Sequence, residues 1–168
     1  MIQKKQITGQ GKHGIVKMAE QNNTLAESLK VVLADTFAFY LKAHNYHWNV
    51  EGENFNDYHA FFATLYNEAW LATDLIAEHI RTLDEYVPAS FGRFYQLATI
   101  SDEVNIPTAI NMARKLEEDN KKVIVSLTSA HKLSEKTNKI GITNFLEDRI
   151  DIHEKHGWML RAITKGRG

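Results

Sequence analysis

Histidines and carboxylates crowd into one stretch of the chain, HNYHWNVEGENFNDYHAFFATLYNEAWLATDLIAEHIR, residues 44–81. Imidazole nitrogens together with carboxylate oxygens suit iron or zinc, and two adjacent metals would need several such groups. Asp74 and Glu78 stand four residues apart, so on a helix they share a face and could grip one cation. An acidic pair at that spacing more often decorates a wetted face, so the pair alone assigns nothing. The chain has no cysteine, which removes disulfides, thiolate metal sites and a cysteine nucleophile.

Spacing adds a condition. Residues 56–86 contain neither Gly nor Pro, which predicts one unbroken helix carrying both His59 and Asp74. Fifteen residues of α-helix cover about 22 Å, too far for the two side chains to meet at one metal. If they do share a metal, it must lie between two chains related by a two-fold axis, with these helices antiparallel. A di-iron centre inside a single bundle would instead call for Glu-x-x-His pairs on two helices. The sequence contains no Glu-x-x-His.

The elements that would position these residues are all helical. From about Asn22 the apolar residues Leu25, Leu29, Val32, Leu33, Phe37, Tyr40 and Leu41 follow a helical period that closes near Asn49, before a turn at Gly52. Asn56 or Asp57 can cap the second helix, and Pro88 ends it. Residues 91–98 suit one or two helical turns. Pro107 and Thr108 open a third long helix, and a turn around 138–141 leads to a fourth through Phe145, Leu146, Ile150 and Trp158. The expected fold is all-α, a four-helix bundle with a short extra helix in the crossover between helices two and three. A single long crossover marks ferritin-like bundles. The expected organisation is a basic tail over 1–18, the bundle over 19–164 and a short basic tail over 165–168.

With 168 residues the chain suits one domain. No apolar run approaches the roughly 20 residues needed to span a bilayer, and no secretory h-region opens the sequence, so a cytoplasmic setting is expected. The net charge of −1 conceals an asymmetry. Residues 1–18 carry Lys4, Lys5, Lys12 and Lys17 and no acid, and residues 155–168 carry Lys155, Arg161, Lys165 and Arg167 and no acid. Residues 19–154 hold twelve cations against twenty-one acids, a charge of −9. Basic ends on an acidic body point either to a polyanionic partner such as DNA or to plainly solvated tails.

Here the motifs meet a family. LKAHNYHWNVEGENF, then His59, then DLIAEHIRTL and VPASF resemble the signature of the Dps proteins, and RIDIHEKHGWMLRA resembles that family's last helix. The resemblance runs over residues 22–164. It implies a miniferritin: a twelve-subunit shell that binds Fe(II) at two-fold interfaces, oxidises it with peroxide or oxygen, stores it inside and so protects DNA. It implies His47 and His59 as histidine ligands, Asp74 and Glu78 as acidic ligands from the facing subunit, and Trp48 beside the metals as a radical interceptor. His44, His153 and His156 are expected to be solvated or capping. Two departures stand out. The family places Asp or Glu four residues after His59, and this chain has Ala63; its pore acids before the last helix are replaced around Lys136, Lys139 and Asn144. An alternative is therefore a shell with impaired ferroxidase, holding zinc or a single iron, or mainly coating DNA through Lys4, Lys5, Lys12 and Lys17.

Overall fold

The computed structural model describes residues 24–165. The basic N-terminal stretch with Lys4, Lys5, Lys12 and Lys17 lies outside the described residues, as do 166–168. Five helices follow one another: α1 (Leu25–Asn49), α2 (Phe55–Arg81), a short α3 (Phe91–Leu97), α4 (Ala109–Lys136) and α5 (Ile140–Thr164), with no strand among the described residues. α1 packs on α2, α4 on α5 and α1 on α4, while α3 lies against α1. This is the expected all-α bundle with its short helix in the crossover.

The core follows the helical period. Leu29, Val32, Leu33, Phe39, Ala43 and Tyr46 of α1 face Phe62, Leu65, Ala69, Ile76 and Ile80 of α2, with Met112, Leu116, Val123 and Leu127 of α4 and Leu146 and Leu160 of α5 completing it. Burying one such side chain contributes about 1.5–3 kcal/mol. Two ties hold the crossover to the bundle. Asp35 on α1 accepts from the Thr99 backbone N–H at 2.6 Å and from its hydroxyl at 3.1 Å. Lys42 donates to the Ser101 carbonyl at 2.8 Å and pairs with buried Asp119 of α4 at 2.5 Å. Burial raises the Asp35 carboxyl above its ordinary value, and the Thr99 donors oppose the shift.

Helix ends differ from the sequence reading in two places, both on α2. α2 begins at Phe55 behind Asn54, which sits at φ 61° in the left-handed region and makes no side-chain cap, rather than behind Asn56 or Asp57. The tight turn through Gly52 (φ 99°) lets the helix start two residues earlier than a cap at Asn56 would. α2 also stops at Arg81 rather than near Tyr86. Asp84 takes φ 61°, a conformation short polar residues tolerate, and Arg81 folds onto the Glu85 carbonyl at 2.8 Å. At the α4–α5 corner the turn falls within the stretch the sequence marked, and Asn138 (φ 54°) supplies its left-handed residue. Lys139 N–H reaches the Ser134 carbonyl and Asn138 N–H the Glu135 carbonyl, both at 3.0 Å, a Schellman closure that lets α5 start at Ile140.

Candidate metal centre

The tight 50–54 turn brings the last turn of α1 against the first of α2, and so His47 against His59. Their rings stack at 3.7 Å between centroids, and the outer face of His59 lies on Phe55 at 5.0 Å. The Nδ1 of His47 bonds the His59 carbonyl, and the Nδ1 of His59 bonds the His47 carbonyl, each at 2.8 Å. A carbonyl only accepts, so each Nδ1 must carry the proton. In the neutral ring the lone pair is then fixed on Nε2, and neither Nε2 has a hydrogen-bond partner among the described residues. The His47 carbonyl belongs to the last turn of α1, where no intrahelical donor remains, so His59 also satisfies an orphan acceptor. Two imidazoles held in tautomer and orientation by backbone oxygens have the form that a metal ligand requires.

His44 is not freely solvated. It is half-buried, stacked on Tyr66 at 3.8 Å and 11° and against Trp48 at 3.8 Å and 31°. Its Nδ1 meets the Tyr40 hydroxyl at 3.4 Å. Burial lowers its pKa, and His47 nearby acts in the same direction. Trp48 itself is 63 % exposed.

Ala63 is one turn along α2 from His59, and nothing nearby replaces an acid there. Asn67 turns back to donate to the Ala63 carbonyl at 2.8 Å. Glu68 is committed elsewhere, to a two-pronged pair with Arg149 of α5 whose second contact is 3.1 Å. Asp74 and Glu78 are exposed further along α2, remote from the histidines. Around them lies an apolar surface of Trp70 (52 % exposed), Leu71 (69 %) and Leu75 (49 %). Among the described residues no three His, Asp or Glu side chains converge to hold a metal within one chain. Lys136, Lys139 and Asn144 are exposed at the α4–α5 corner, and no acid occupies the first turn of α5.

Sequence reasoning misplaced His153 and His156, which are buried in the bundle rather than solvated. Arg149 can only donate, so its 2.9 Å contact makes His153 Nε2 the acceptor. His153 Nδ1–H then donates to the Asn120 side-chain oxygen at 2.7 Å, and the Asn120 amide returns a bond to the His153 carbonyl at 2.8 Å. Burial pushes His153 well below its ordinary pKa, with the charge of Arg149 and His156 acting the same way. The signal was available: Leu146, Arg149, His153, His156 and Leu160 recur at helical spacing, so the polar residues sit on the apolar stripe of α5. A fixed guanidinium thus occupies the interior next to Glu68.

Comparison with known proteins bears on this arrangement. The ferritin-like domain family matches residues 26–166. A low temperature-induced protein of Nostoc sp. is 28% identical over 163 residues, covering 96% of this chain and 86% of that one. DNA protection during starvation protein 2 of Bacillus anthracis is 28% identical over 142 residues, covering 84% of this chain and 97% of its own. The crystal structure of the Dps protein from Vibrio cholerae O1, described as a member of a broad superfamily of ferritin-like diiron-carboxylate proteins, superposes with a TM-score of 0.81 at 29% identity, covering 84% of this chain and 89% of that chain. No helix among the described residues is long and apolar enough to cross a membrane.

Proposed function

Because the chain belongs to the ferritin-like domain family, and within it to the Dps proteins, we propose that it binds Fe(II) between two subunits, oxidises it with peroxide or oxygen and stores it in a closed, twelve-subunit shell. The observation that carries this is the reciprocal lock of His47 and His59, which leaves two Nε2 lone pairs free on rings that cannot rotate. A histidine pair buried for packing alone would not need both Nδ1 atoms tied to carbonyls.

Asp74 and Glu78 supply the oxygens, and by helix length they must come from a second copy. The exposed Trp70, Leu71 and Leu75 beside them favour an antiparallel pairing of α2 with its symmetry mate, which brings the acids of one chain to the histidines of the other. In that pairing the substrate iron meets nitrogen donors on one side and hard anionic oxygens on the other, and the carboxylates stabilise the ferric product. Trp48, exposed next to His44, is placed to intercept oxidising radicals. Removal of ferrous iron and peroxide together protects DNA in the cytoplasm, with Lys4, Lys5, Lys12 and Lys17 as weak phosphate contacts.

A second reading is favoured by Ala63: a site short of one carboxylate that holds a single iron, or zinc, and oxidises slowly. Anaerobic Fe(II) titration followed by peroxide, monitored by tryptophan fluorescence and ferric absorbance, tests both. The wild type should bind and oxidise iron, and His47→Ala, His59→Ala and Asp74→Ala should each weaken binding at least tenfold. Iron binding that survives all three substitutions refutes the assignment.

A further inference from the structure

Polar side chains inside a bundle core are unfavourable unless paired, and α5 carries three on its buried stripe: Arg149, His153 and His156. Their partners come from two other helices, Glu68 of α2 and Asn120 of α4. Exchange of a buried ion pair for apolar side chains is often neutral or stabilising, so packing alone gives no reason to keep it. Arg149 Nε and His156 Nδ1 are moreover buried without a hydrogen-bond partner among the described residues.

Around the guanidinium the donors are arranged as they would be around a cation. One atom, Arg149 Nη2, lies 2.9 Å from His153 Nε2 and 3.1 Å from a Glu68 carboxylate oxygen, while Nη1 holds the other oxygen. An imidazole lone pair and an anionic oxygen thus converge on a position that carries positive charge. His153 is held as metal-binding histidines are: its Nδ1–H donates to the Asn120 oxygen at 2.7 Å, which fixes the tautomer and aims Nε2 at that position. The His156 ring packs edge-on to His153 at 5.5 Å and adds its nitrogens to the same stripe. Metal bonds to such donors run about 2.0–2.2 Å, so His153 and Glu68 would need to close by only about 1 Å onto an ion. The Glu68 side chain is 26 % exposed, which leaves a cation a way in.

We propose that Arg149 is a metal-excluding residue: its guanidinium fills a latent cation site between Glu68 and His153 and so keeps Fe(II) and Zn(II) out of the bundle interior. Arginine suits the role because its charge does not titrate and its planar fork spans both carboxylate oxygens. Exclusion has a chemical use. A lone Fe(II) in the bundle would pass one electron to hydrogen peroxide, becoming Fe(III) and splitting the peroxide into hydroxide and a hydroxyl radical among buried side chains. Because every residue involved belongs to one chain, the exclusion holds or fails separately from metal binding at His47 and His59.

The test titrates Co(II), a spectroscopic stand-in for Fe(II) and Zn(II), into the full chain and locates the bound ion by anomalous diffraction at the cobalt edge. The wild type should hold no cobalt inside the bundle, and neither should Arg149→Lys, which keeps the charge. Arg149→Ala should gain one Co(II) per subunit beside Glu68 and His153, at least a hundredfold tighter than any interior binding by the wild type. That gain should appear as a visible absorption band and as a Tm that rises with saturating Co(II). Adding Glu68→Gln to Arg149→Ala should abolish it. Where Arg149→Ala does not assemble, Arg149→Gln, neutral but still able to hydrogen-bond Glu68, should take up the ion at the same place. Cobalt beside His153 in the wild type overturns the proposal, as does a bundle free of metal in both Arg149→Ala and Arg149→Gln. Interior binding that persists unchanged with Glu68→Gln overturns it as well.

Discussion

Mild acid should destabilise this protein through His153, well above the pH at which carboxylates titrate. In the folded chain His153 is locked neutral: Nε2 accepts from Arg149 and Nδ1–H donates to Asn120. Burial, then the neighbouring Arg149 and His156, hold its pKa well below the ordinary value of 6.5. In the unfolded chain the ring takes its proton near 6.5. The unfolded state therefore binds more protons below that pH, and a contribution fully present at neutral pH is lost as the pH falls. Each unit below 6.5 costs about 1.4 kcal/mol from this ring while it stays neutral in the native state. His156, also lowered by burial, adds to the loss in the same direction. For a chain of this length 1.4 kcal/mol corresponds to roughly 3–6 °C in Tm. The assay is thermal unfolding between pH 7.5 and 5.5 at one fixed subunit concentration, because assembly makes Tm concentration-dependent. His153→Gln keeps an acceptor for Arg149 and a donor for Asn120 but does not titrate. It should flatten the pH dependence by about 1.4 kcal/mol per unit, leaving the slopes from His44, His79 and His156 in place. Equal slopes in wild type and variant would refute the reasoning.

Other expectations follow from particular residues. Ala63→Asp and Ala63→Glu should raise iron occupancy and stopped-flow oxidation rate by at least tenfold, since each restores an anionic oxygen one turn from His59; a wild type already as fast shows that the acid is dispensable. Arg149→Met leaves Glu68 and His153 without their partner and should cost about 3 kcal/mol, the low end for a broken ion pair because Glu68 is partly exposed, as read from chemical denaturation; combining it with Glu68→Leu should recover most of that loss. Plasmid should be retarded on gels at low salt and released as salt rises, and deletion of residues 1–18 should abolish the effect; retardation that survives the deletion assigns binding to the C-terminal cations or the body. Light scattering should report a shell-sized particle at micromolar concentration, and a stable monomer or dimer contradicts closure.

Much of the fold was legible because its signals are local. The apolar period of α1 and α2, the scarcity of proline and the long 82–108 crossover predict a bundle with one crossing connection, and the structure has it. Helix ends were less legible because Asn54 and Asp84 adopt left-handed turns that non-glycine residues visit rarely. The spacing of His59 and Asp74 predicted that one chain could not complete a site, and in the structure the acids lie exposed and remote from the histidines. What spacing could not supply was the mutual lock of His47 and His59, which depends on how tightly 50–54 turns. Nor could it separate Phe62 and Leu65, both fully buried, from Trp70, Leu71 and Leu75, which remain open for a partner. The buried Arg149–His153–Asn120 cluster was misread because charged residues are rarely buried unless paired, and the partner, Glu68, lies 81 positions away.

The most direct test of the account is anomalous diffraction at the iron edge from crystals soaked anaerobically in Fe(II). The account predicts an iron peak at each two-fold interface, bonded to the Nε2 of His47 or His59 from one chain and to Asp74 or Glu78 from its mate. It also predicts that a second peak, where Ala63 leaves a gap, is weak or missing and strengthens in Ala63→Asp. An iron peak inside a single bundle, beside Glu68 and His153, or an interface bare of iron while the metal loads elsewhere, would contradict it.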